Sequence, residues 1–71
     1  MQLNTEALRA LRLSGGDSHR TLAARAGLSA RSLSLLERGA TQPRASTIVK
    51  LADALSVPVG AITHIDQKAA D

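Results

Sequence analysis

Two histidines and a run of arginines are the residues of this sequence whose types invite a chemical reading. His19 and His64 are the only imidazoles, and cysteine is absent. No serine, histidine and acid fall into a spacing that would activate a nucleophile, so no enzymatic activity is expected. His64 and Asp66 offer two metal ligands near the end of the chain, short of the three or four that hold zinc. Neither a metal nor another cofactor is expected.

The arginines carry more. Residues 9–44 hold Arg9, Arg12, Arg20, Arg25, Arg31, Arg38 and Arg44 against two acids, Asp17 and Glu37. Residues 45–71 hold Lys50 and Lys68 against Asp53, Asp66 and Asp71. Positive charge is thus concentrated in the first two thirds, which fits either a polyanionic partner or an arginine-rich solvated surface. The absence of Phe, Tyr and Trp removes the stacking platforms on which most single-strand binders depend.

These residues must be positioned by a small scaffold. A chain of 71 residues makes one domain with a modest core, here built from Leu, Ile, Val and Ala. Residues 1–65 are expected to form that domain and residues 66–71 a frayed tail. The start, MQLNTEALRALRL, never reaches a continuous apolar run, so it reads as neither signal peptide nor membrane span. With no cysteine to oxidise, a cytoplasmic location is expected.

The pattern predicts four helices and a shorter fifth, with no strand. The first runs over residues 5–13, capped by Asn4 or Thr5, with Leu8 and Leu11 inward and Ser14-Gly15-Gly16 as its stop. Asp17 or Ser18 caps a second over 19–26, with Leu22, Ala23 and Ala26 inward and Gly27 ending it. Ser29 caps a third over 30–38, its inner stripe Leu33 and Leu36 and its outer side Ala30, Arg31, Ser34, Leu35 and Arg38. Pro43 lies in the loop that leads to a fourth, over 46–55, with Ile48, Leu51, Ala52 and Leu55 inward. Val57-Pro58 opens the last, with Val59 and Ile62 inward.

Only Gly27-Leu28-Ser29 separates the second helix from the third. That is the spacing of a helix-turn-helix, whose steep crossing lets one helix protrude into a groove while the other lies across the backbone. The chain resembles the XRE family, the lambda Cro/repressor-like DNA-binding domains. The residues that carry the resemblance are Leu8, Leu11, Arg12, the run Ser18 to Ala23, the run Ala26 to Ser29, Leu33, the run Leu36 to Gly39, Pro43, Ile48, Leu51, Ala52, Leu55, Val57 and Ile62. It implies an all-α, compact four- to five-helix lambda-repressor-like domain with the third helix in the major groove.

The same resemblance assigns roles by position. Ala30, Arg31, Ser34 and Leu35 match base-facing positions, with Arg31 able to donate two bonds to guanine and Leu35 to meet a thymine methyl. Ser18, His19, Ser29, Ser32, Arg38, Thr41, Gln42 and Arg44 match phosphate-contacting positions. His19 stands where relatives usually carry Gln, and protonation at lower pH would strengthen its contact. Arg12 and Glu37 match a structural ion pair between the first and third helices.

Three positions depart from the family pattern: Asp17 replaces an apolar plug, Leu13 is apolar where polar residues are usual, and Gly60 opens the last helix. Leu13, Val59 and Ile65 could form an exposed apolar patch or be partly buried. The expected function is sequence-specific binding of double-stranded DNA by a transcriptional regulator, most simply a repressor. It would act as a homodimer, at least on DNA, across a pseudo-palindromic operator, with half-sites ~34 Å apart if one turn separates them. The competing reading keeps the fold as a protein-interaction module, such as an antitoxin or coactivator, with a protein partner.

Overall fold

The α-helices among the described residues all end in the same way, and those endings set the architecture. The structure is a computed structural model that describes residues 1–64. The expected tail, Asp66 and Ile65 therefore lie outside the described residues. Four α-helices follow in order, α1 (Thr5–Ser14), α2 (His19–Ala26), α3 (Ala30–Glu37) and α4 (Ala45–Leu55), then one turn of 3-10 helix at Val59–Ile62.

At the C-terminus of each α-helix the chain turns out through one left-handed residue: Gly16, Gly27, Gly39 and Ser56. The amide of the residue after it then reaches back five positions. Asp17 donates to the carbonyl of Arg12, Leu28 to Ala23, Ala40 to Leu35 and Val57 to Ala52, at 2.8–3.1 Å. This is the Schellman arrangement, which satisfies carbonyls that a helix end otherwise leaves open. Three of the four positions are glycine, for which the left-handed region carries no Cβ penalty. Ser56, at φ 58°, is the exception. Ser56→Gly should raise stability by about 0.5–1 kcal/mol, the Cβ strain relieved less the extra freedom glycine gives the unfolded chain. Urea denaturation checks this, and a loss of stability would mean that the serine hydroxyl has a compensating role.

The starts are equally local. Asn4 caps α1 by accepting from the amide of Ala7, Ser18 caps α2 through Thr21, and Ser29 caps α3 through Ser32. Each bond satisfies one of the orphan amides of a first turn. The sequence left Asn4 or Thr5, and Asp17 or Ser18, as alternatives; the structure selects Asn4 and Ser18. Helix α4 follows Arg44 with no side-chain cap.

Three boundaries move by one residue. Helix α1 continues to Ser14 because the left-handed break falls at Gly16 rather than Gly15. Helix α3 stops at Glu37, leaving Arg38 as its cap before Gly39 turns. Helix α4 starts at Ala45, not Ser46. The last element is a 3-10 turn rather than an α-helix, over a four-residue stretch that includes Gly60.

The core is aliphatic, with Leu8, Leu22, Leu33, Ile48, Leu51 and Ile62 fully buried. Helix α2 packs on α3 and α4, α1 reaches α3 and the final turn, and α4 also packs on that turn. Helix α3 therefore rests on α2 and α1 and leaves its far side open. Leu11, Leu55 and Val59 are only half-buried at the margin of this core.

One piece of the core escaped the helical pattern. Leu3 is buried and forms an isolated antiparallel bridge with Thr63. The amide of Asn4 donates to Ile62 at 2.8 Å, and that of His64 to Gln2 at 2.9 Å. The segment before α1 is thereby tied to the final turn.

Candidate nucleic-acid interface

Helix α3 is fixed on one side by a buried ion pair. Arg12 of α1 donates from Nε to Glu37 Oε2 at 2.6 Å and from its second terminal nitrogen to Oε1 at 3.1 Å. Its remaining terminal nitrogen donates to the carbonyl of Asp17 at 2.9 Å. The two side chains are only 9% and 5% exposed, so the pairing joins α1, the turn before α2, and the end of α3 inside the protein. Its bidentate geometry suits the guanidinium fork.

His19 completes this strut. Its Nε2 lies 3.1 Å from Glu37 Oε1, with the side chain 39% exposed. Burial pushes the Glu37 carboxyl up, but the bonds from Arg12 and His19 together outweigh it and hold the group below its usual range. The bond to Glu37 likewise raises Arg12 against the opposing pull of burial. Glu37 is therefore an ionised acceptor serving two donors. The sequence placed His19 as a free phosphate donor; the structure adds a carboxylate partner on its inner side.

The outer side of α3 presents Ala30 and Arg31 exposed in the first turn, with Ser34 and Leu35 half-buried behind them. Two openings flank this helix. One is a notch of about 190 Å³ lined by Arg9, Arg12, His19, Ser34, Glu37 and Arg38. The other is a groove of about 270 Å³ between α3 and the loop into α4, where Ser32, Leu35, Thr41, Gln42 and Arg44 meet Leu28, Leu36, Pro43 and Thr47. Leu35, expected on the wet face, instead leans into this groove. Ala30, Arg31, Ser18 and Ser29 stand outside both openings.

The serines divide by hydrogen bonding. Ser29 Oγ accepts from the amide of Ser32 at 3.0 Å and donates to Ser32 Oγ at 2.9 Å. Its one proton is spent within the cap, whereas the Ser32 hydroxyl still has a proton to give. Ser18 caps α2 and shares a 3.1 Å contact with the Thr21 hydroxyl.

The charge excess also sorts itself. Arg12 is matched by Glu37, and Arg25 by Asp17. Arg25 additionally donates to the carbonyl of Ala54 at 3.2 Å, so it ties α2 to the end of α4. Asp17, standing in place of an apolar plug, thus anchors the turn through a charge. Arg9, Arg20, Arg31, Arg38 and Arg44 have no carboxylate partner among the described residues. These unpaired charges sit on α1, at the starts of α2 and α3, and at the two ends of the α3–α4 loop.

Sequence reasoning missed Arg9 as a lining residue, and its position one turn before Arg12 on α1 was the available signal. Of the suggested apolar patch, Leu13 is 55% exposed and Val59 is partly buried against the core, while Ile65 lies outside the described residues. No cluster of metal-ligating side chains occurs among the described residues. No helix among them is long and apolar enough to cross a membrane.

Comparison with known proteins places this geometry. A family model described as helix-turn-helix matches residues 8–62. Uncharacterized HTH-type transcriptional regulators of Mycobacterium tuberculosis and Mycobacterium bovis are 44% identical over 59 residues, which is 83% of this chain. The chain spans about a quarter (23%) of the length of these relatives. Among solved structures, the clp gene regulator ClgR from C. glutamicum superposes with a TM-score of 0.73 at 33% identity, over 78% of this chain and 71% of that one.

Proposed function

We propose, from the premise that this chain belongs to the helix-turn-helix family, that it is a sequence-specific repressor domain acting as a dimer on a pseudo-palindromic operator. Membership makes it a DNA-binding regulator domain with the XRE-type fold. The observation that carries the finer reading is the open side of α3: exposed Ala30 and Arg31, with Ser34 and Leu35 behind, between two openings lined by polar and basic groups. In this reading α3 enters the major groove, where Arg31 donates both branches of its fork to O6 and N7 of a guanine. Ser18, His19, Ser29, Ser32, Arg38, Thr41, Gln42 and Arg44 contact phosphates on either side. Ser29 acts mainly by fixing the α3 start, and Ser32 supplies the hydroxyl.

A single domain of this size touches few base pairs, so a second copy on the dyad supplies the affinity through effective concentration. Such a dimer set across a promoter would occlude it, which is why repression is the proposed outcome.

Selection of bound duplexes from a random pool at near-physiological salt tests the reading. A two-fold symmetric consensus is expected. Enrichment without symmetry would remove the dimer, and no enrichment would favour a protein partner on the same face. For the loop, Arg44→Ala should weaken binding to all duplexes alike and lower the slope of log affinity against log salt by about 1. A salt titration by fluorescence anisotropy reads this directly, and an unchanged slope would take Arg44 out of the interface.

A further inference from the structure

The notch beside α3 contains an imidazole with one nitrogen already committed. An ionised carboxylate only accepts hydrogen bonds, so Nε2 of His19 carries the proton it shares with Glu37 Oε1 at 3.1 Å. In the neutral ring the other nitrogen, Nδ1, then has a lone pair and no proton. That nitrogen cannot donate to an anion, and its lone pair would repel one.

The remaining lining is cationic. Arg9 and Arg12 face the notch from α1, and Arg38 and Glu37 from α3, with Ser34 between them. Arg12 and Glu37 neutralise each other, and Asp17, next to the start of α2, is matched by Arg25. The net field of the notch therefore comes from Arg9 and Arg38, and it favours an anion.

We infer that the notch seats one backbone phosphate of the bound duplex between Arg9, Arg38 and His19, and that seating it draws a proton from solvent onto Nδ1 of His19. Glu37 is the positioning residue, because it holds the ring by Nε2 and leaves Nδ1 as the donor. The phosphate favours the charged ring as any anion at close range does. This rests on the reading of the chain as a duplex binder, and adds to it that binding takes up a proton and that Arg9 is part of the contact.

The test is calorimetric titration of the chain with a short duplex, in buffers of differing ionisation enthalpy, from about pH 5.5 to about pH 8.5, a range spanning ordinary imidazole titration. Wild type should take up a fraction of a proton per site near neutral pH and lose about tenfold in affinity across the range. His19→Gln should bind with no proton uptake and a flat pH profile, while His64→Gln keeps the wild-type profile. Arg9→Ala should lower the salt slope by about 1 and keep the pH dependence. Circular dichroism confirms that each variant is folded. A flat wild-type profile, or one that persists in His19→Gln or vanishes in His64→Gln, overturns the inference while leaving duplex binding standing. Absence of duplex binding at every pH overturns both.

Discussion

Glu37→Ala should cost the domain about 3 kcal/mol of stability, the low end of what breaking a buried ion pair from one side costs. Arg12 has its side chain 9% exposed and would keep only the carbonyl of Asp17 as partner. The low end applies because that bond survives, and because His19, 39% exposed, can turn to water. For a single domain whose total stability is on the order of 5 kcal/mol, this is most of what holds it folded. Removing both charges behaves differently. Arg12→Met with Glu37→Leu should be near neutral or stabilising, since neither partner is left buried alone. Urea denaturation followed by circular dichroism separates the two cases. A loss well under 1 kcal/mol in Glu37→Ala would mean that the pair behaves as a surface contact.

The same pair fixes the response to acid. Glu37 is held below its unfolded range, so its contribution is fully present above the unfolded carboxylate value of about 4.3 and is lost as pH falls through the folded value. Wild type should therefore lose stability below about pH 4.3 more steeply than the double variant.

Arg31→Ala should reduce affinity for the selected duplex by about 1–3 kcal/mol and erase preference at a single base pair. Arg31 is exposed in the first turn of α3 with no acid attached among the described residues, so its removal leaves the fold untouched. Neighbouring phosphate contacts would persist, and binding to unrelated duplexes should change little. Repeating the selection with the variant distinguishes the outcomes. An equal loss on every sequence would make Arg31 a phosphate contact.

The helices and their order were legible because caps and stops are local. Ser29 and Gly27 announce themselves by type and position. Ser56 did not, since a serine in the left-handed region is chosen by the turn rather than by the residue. Leu3 was missed because its burial depends on pairing with Thr63, sixty positions away in the chain, and no helical period marks it.

The interface was partly legible. The outer face of α3 follows from helical geometry, and Arg12 with Glu37 followed from the family resemblance. What the sequence could not show is that Glu37 takes a second donor from His19, or that Arg25 is spent on Asp17 and Ala54 rather than on the basic face. Both depend on how α2 sits against its neighbours. The half-burial of Leu35 was hidden for a related reason: the loop 41–44 lies beside α3 and lines one groove with it.

Placement of α3 in the major groove is most directly tested by methylation protection of guanine N7, an atom that lines that groove alone. On the selected duplex, guanines within each half-site should be protected by the wild-type chain, with protection lost at one guanine in Arg31→Ala. Saturating binding that leaves every guanine N7 reactive would contradict the account.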